Sequence, residues 1–105
     1  MQVISFILSQ VSERKELNLI FNEIFKAEGS EVYFKPISNY IKVGQPTDFY
    51  NISRSSLHRN EIAIGYRIYS EYYNEKKNYG IVLNPNKSNE YLFHDDDLII
   101  VLSED

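Results

Sequence analysis

The sequence predicts an α+β fold: an N-terminal helix-turn-helix, then a small, mostly antiparallel sheet with one inserted helix. Three observations predict it. Leu17, Ile20, Phe21, Ile24 and Phe25 recur at helical spacing. Ile62, Ile64, Tyr66 and Ile68 alternate with Ala63, Gly65, Arg67 and Tyr69, the period of a strand with one buried face. Residues 98–102 are apolar without a break, as in a strand covered on both sides.

At 105 residues the chain has room for a single core. Apolar residues at 43% and aromatics at 14% are enough to pack it and exclude a disordered composition. Nine Tyr and six Phe with no Trp favour half-buried positions, where a ring packs and a hydroxyl reaches water or a partner. A net charge of −4 argues against nucleic acid and anionic membrane as partners, because both call for basic surface. With no cysteine, disulfides, thiolate chemistry and a cysteine zinc site are excluded. No apolar run approaches the roughly 20 residues of a membrane span. The apolar residues 3–8 lack the flanks of a signal peptide. A soluble, intracellular chain is expected, with no direct membrane insertion.

Residues 2–12 predict an amphipathic helix with Ile4, Ile7, Leu8 and Val11 on one face. Val3 and Phe6 broaden that face beyond one stripe, so it packs either on its own domain or on another subunit. Residues 12–16 break the phase, and Ser12 can cap a second helix that Gly29 ends. A helix-turn-helix over residues 1–28 is expected, with a single kinked helix as the alternative.

Residues 31–37 predict a first strand, with Pro36 marking its end or an edge. Residues 40–43 extend it, and Gly44, Gln45 and Pro46 turn. Thr47 and Asp48 open a helix over residues 47–58. The alternating strand follows, with the Ile face toward the core and small residues Ala63 and Gly65 on the other. Glycine inside a strand marks a bulge or a close approach. Residues 70–78 predict a hairpin loop, 79–84 its return strand, 91–93 a short extended piece and 95–97 a turn into the last strand.

Chemistry-bearing groups are few. Asp95, Asp96 and Asp97 offer oxygens for a hard cation, but without EF-hand spacing they fit a turn whose last carboxylate accepts backbone N–H groups. His58 and His94 have no partner at ligand spacing, and the serines at 53, 55 and 56 have no histidine to activate them. Glu71, Glu75, Lys76 and Lys77 fit a charged hairpin tip. Arg67 stands within a strand and needs an acceptor: a carboxylate, a subunit partner or an anionic ligand. Ala63, Gly65 and Arg67, with Asp96 and Asp97, are the candidate ligand or interface residues. No catalytic set and no cofactor is expected, so the pattern names no reaction and no enzyme.

The segments GSEVYFKP, the helix opening near Phe49 and Tyr50, NEIAIGYR, VLNP and HDDDLIIVL carry a family resemblance. In order and spacing they are similar to the C-terminal soluble region of Castor/Pollux-type ion channels. More distantly they resemble the C-terminal ligand-binding subdomain of the RCK/TrkA family, which regulates potassium conductance. That subdomain has a strand of the type "vvaI-R", a strand ending in proline, and a "gD-L-vv" turn-and-strand. The counterparts are residues 62–67, then Leu83, Asn84 and Pro85, then Asp97 and residues 98–101. The resemblance covers about residues 29–103, and residues 1–28 resemble the helical hinge that pairs subunits in RCK proteins. Pore helices, a Rossmann lobe and any G-x-G-x-x-G loop are absent from the sequence. The resemblance implies a hinge and dimerisation segment over 1–28 and a regulatory domain over 29–105. It implies a cytoplasmic homodimer, paired through Ile4, Ile7, Leu8 and Val11. A membrane pore domain of the same parent protein would be its partner, and a small ligand or divalent cation its effector. A free-standing homodimeric module with no ligand is the alternative.

Overall fold

The computed structural model describes residues 31–103. The helix-turn-helix expected over 1–28, and with it Ile4, Ile7, Leu8 and Val11, lies outside the described residues.

Seven elements carry the fold: β1 (Glu31–Pro36), β2 (Pro46–Asp48), α1 (Phe49–Leu57), β3 (Ile62–Arg67), β4 (Ile81–Leu83), β5 (Glu90–Leu92) and β6 (Leu98–Ser103). A four-stranded sheet runs in the order β1-β6-β3-β4, every neighbour antiparallel, and β2 pairs with β5 as a separate ribbon. The described residues therefore form a small α+β domain with antiparallel sheets and one α-helix.

The uninterrupted apolar run makes β6 the natural central strand. Ile99, Ile100, Val101 and Leu102 are 0–3% exposed. Ile100 and Leu102 join Ile64, Ile81 and Leu83 in one cluster, with Val32 and Phe34 against it. Ile99 and Val101 join Ile37, Tyr40, Phe49, Ile52, Ile68 and Phe93 in the other. Burying such a side chain stabilises by about 1.5–3 kcal/mol, so β6 is the largest single contributor to the sheet.

Several expected boundaries move for local reasons. The first strand stops at Pro36, which has no N–H to extend the ladder, and Ile37 starts a buried 3-10 turn instead. Residues 40–43 are not extended: Tyr40 and Ile41 both donate their N–H to the Ile37 carbonyl. Thr47 belongs to β2, and the helix starts one residue past Asp48, whose carboxylate accepts from the Asn51 N–H at 3.0 Å. The return strand starts at Ile81 because Asn78, Tyr79 and Gly80 all have positive φ, which ends any ladder. The short extended piece near 91–93 is β5, over Glu90–Leu92.

Candidate functional site

Strand β3 does not keep a single alternation. A bulge between Ala63 and Gly65 shifts the register with β6, so two residues of β3 oppose one of its partner. Such a shift exchanges the faces of everything beyond it. Ile64 enters the cluster with Ile100, whereas Ala63, Tyr66 and Ile68 pack with the opposite cluster around Phe93. Ile62, expected in the core, is 44% exposed. The expected division into an Ile face and an Ala63–Gly65–Arg67 face is thus corrected by the bulge.

Gly65 is the close approach that its residue type suggested, and β4 is what approaches. A Cβ at this position would stand 2.1 Å from the Val82 carbonyl oxygen and 3.1 Å from the Leu83 Cα.

Arg67 is buried, and its acceptors are main-chain carbonyls. Its Nε donates to the Tyr79 carbonyl at 2.9 Å, and its guanidinium lies 3.4 Å from the centre of the Tyr72 ring. Nη2 reaches the Tyr72 carbonyl at 3.4 Å. Asp97, 1% exposed, accepts from the Tyr69 N–H at 2.9 Å and the His94 N–H at 2.8 Å. Arg67 pairs with Leu98 across the β3–β6 ladder. The two charges therefore hold the loop between β3 and β4, Asp97 at its start and Arg67 at its middle and end. Asp96 and Asp95 are exposed. Of the five candidates, Gly65, Arg67 and Asp97 gather around this hairpin, Ala63 faces the other cluster, and Asp96 faces water. Among the described residues no group of three His, Cys, Asp or Glu side chains could hold a metal ion. Ser56 donates its hydroxyl to the Ser53 carbonyl at 2.8 Å.

A second polar centre escaped the sequence reading. Glu61, only 4% exposed, sits just before β3. It accepts from the Tyr40 hydroxyl at 2.5 Å and from the Lys35 ammonium. Arg59 stacks on the Tyr40 ring at 4.5 Å and donates to the Asn39 carbonyl at 2.6 Å. Burial works to raise the Glu61 pKa, but the hydrogen bonds from Lys35 and Tyr40, with the charges of Lys35 and Arg59, hold it below its ordinary value. Burial, then the bond to Glu61, pushes the Tyr40 phenol up to about 12. Four residues from three separate segments meet here, so no local pattern marks them.

Two concavities lie elsewhere. Tyr69, Tyr72 and Tyr73, with residues 74–76, surround a broad hollow of about 790 Å³ that is open to solvent. The smaller one, about 350 Å³, is more enclosed and lies where the β2–β5 ribbon, the start of α1 and the sheet converge. Phe49, Tyr66, Tyr91 and Phe93 form its apolar wall, with Thr47, Asn86, Asn89 and Glu90 as polar groups. The Tyr66 ring meets Phe93 edge-on at 4.9 Å and stacks against Tyr91 at 5.9 Å. Few convergent polar groups on an aromatic wall is the usual make-up of a small-molecule site. Tyr66 was expected on the Ile face of its strand and Tyr91 in a short extended piece; only the bulge and the β2–β5 pairing bring them together.

No protein-family model matches the chain. Curated relatives do. The ion channel DMI1 of Medicago truncatula is 32% identical over 103 residues, 97% of this chain and 11% of that protein. The ion channel CASTOR of Lotus japonicus is 33% identical over 67 residues, 64% of this chain and 8% of that protein. The ion channel POLLUX of the same plant is 34% identical over 67 residues, 64% of this chain and 7% of that protein. The chain thus spans about a tenth of the length of the relatives it matches. By sequence descent the chain belongs with the Castor/Pollux-type ion channels, as the counterpart of one short segment of those proteins.

Proposed function

We propose that this chain is a regulatory and assembly domain of a channel or transporter for potassium or another cation, lying on the cytoplasmic side of the membrane. The observation that carries the reading is its homology, over almost its whole length, to a protein named as an ion channel. The order of the bulged strand ending at Arg67, the strand running into Pro85 and the Asp97 turn supports the likeness to the RCK/TrkA C-terminal subdomain. Among the described residues no helix is long and apolar enough to cross a membrane, so the pore would be built by other parts of the parent protein. The mechanism is conformational. A ligand, or contact with a second subunit through residues 1–28, favours one of two arrangements of the hinge, and that preference is transmitted to the pore. A free-standing homodimeric module with no ligand is the second reading, favoured by the apolar residues at helical spacing over 3–11 of the sequence.

The reading frame of the gene separates the two. Transcript sequencing that finds membrane spans upstream in the same polypeptide supports the channel reading. A frame that begins at Met1 and carries no span overturns it in favour of the free module.

A further inference from the structure

The cleft between the β2–β5 ribbon and the sheet has a one-sided chemistry. Its apolar lining comprises Phe49, Tyr66, Tyr91 and Phe93 with Val82 and Pro85; Phe49 and Phe93 are buried, so Tyr66 and Tyr91 offer the accessible ring surface. The Tyr91 and Phe93 ring centres lie 4.8 Å apart and those of Phe49 and Tyr66 6.3 Å apart, so the buried rings hold Tyr66 and Tyr91 in place. Aromatic faces carry negative potential and attract cations. The polar lining adds no positive charge: Thr47, Asn86 and Asn89 are neutral, and Glu90 is a carboxylate on the exposed rim. Among the described residues no lysine or arginine lines the cleft. Lys87, in the same loop, is exposed and does not line it. An anion would find no donor of positive charge here. A well-hydrated metal ion would find one carboxylate and no cage. A cation with apolar substituents matches both the rings and the rim.

We propose that this cleft binds a small organic cation, with an alkylated ammonium group against the Tyr66 and Tyr91 rings and Glu90 at its edge. The volume of about 350 Å³ suits a ligand of metabolite size. The site is distinct from the Arg67–Asp97 hairpin, and its test does not depend on the channel reading because binding is measured on the chain itself.

Choline and its uncharged isostere 3,3-dimethylbutan-1-ol are the probes, titrated against the chain with the tyrosine and phenylalanine ring signals followed by NMR. Choline is expected to shift the signals of Tyr66 and Tyr91 saturably, and to bind roughly tenfold more tightly than the isostere. Tyr91→Ala, at a half-exposed position on the ribbon, should weaken choline by about tenfold, while Tyr91→Phe should retain it, because the ring face carries the attraction. Glu90→Gln should weaken choline and leave the isostere unchanged. Equal binding of the two probes overturns the proposal, as does saturation with no change at these rings, or no binding by a chain whose spectrum shows it folded.

Discussion

Position 65 has no room for a side chain. Any residue but glycine would place its Cβ at 2.1 Å from the Val82 carbonyl, and main-chain atoms cannot step aside without breaking the β3–β4 pairing. Gly65→Ala should therefore destabilise the domain by about 2–3 kcal/mol, the cost of overpacking against backbone. Urea unfolding checks this, and a midpoint unchanged from the parent would mean that β4 tolerates displacement. Glu61 makes a prediction about pH. Its carboxyl is held below its ordinary value of 4.5 in the fold, so the folded state releases the proton more readily than the unfolded chain. Its contribution is complete above 4.5 and is lost as pH falls through the depressed value. Tyr40 acts at the other limb: raised from 10.0 to about 12, it supports the fold below 10.0, and that support is lost as pH climbs to about 12. Unfolding midpoints measured across pH should show Glu61→Gln flattening the acid limb and Tyr40→Phe flattening the alkaline one. An acid limb identical in parent and Glu61→Gln would remove Glu61 from the account. At this scale much was legible. Glycine in a strand announced a close approach, and the last Asp of the triplet announced a turn carboxylate. The Glu61 centre was not legible, because Lys35, Tyr40, Arg59 and Glu61 meet only after the chain has turned back on itself.

The β3–β4 hairpin shows how the elements depend on buried charges. Its loop contains a 3-10 turn at Tyr69–Glu71 and, within Glu75–Gly80, tight turns broken by non-helical backbone at Lys77, Asn78 and Tyr79, none long enough to hold itself together in isolation. Asp97 accepts two backbone N–H groups, one from this loop and one from the turn before β6, so it ties together two connections distant in sequence. Hydrogen bonds to a charged acceptor are worth about 1.5–3 kcal/mol, and removing the acceptor leaves donors unmet. Asp97→Ala should lower stability by about 2–4 kcal/mol, with Asp97→Asn intermediate because its amide oxygen can still accept. Amide hydrogen exchange should show lost protection at Tyr69 and His94 before the rest of the sheet. Protection that falls evenly over β6 would contradict this division. Helix α1 is less demanding: its start was readable from Asp48, since capping is a local interaction three residues long.

At the scale of the molecule, the expected association through residues 1–28 can be tested directly. Sedimentation at micromolar concentration should find a dimer or larger assembly, and Ile7→Asp combined with Leu8→Asp should return it to monomer. A parent chain that is monomeric throughout would withdraw the assembly half of the proposed function while leaving the descent from channel proteins untouched.

By itself the sequence determined the α+β class of the described residues, the burial of β6 on both faces, the presence of a helix near Asp48 and the kinship with channel proteins. Each rests on a local period, a local cap or a run of matched residues. The tertiary structure decided which face each side chain of β3 presents. One extra residue at the bulge sends Tyr66 to the aromatic cleft and turns Arg67 onto the hairpin carbonyls. A period-2 pattern cannot record that, because a bulge is set by the partner strands: β4 must lie against Gly65 while β6 keeps its own register, and both constraints come from residues far along the chain.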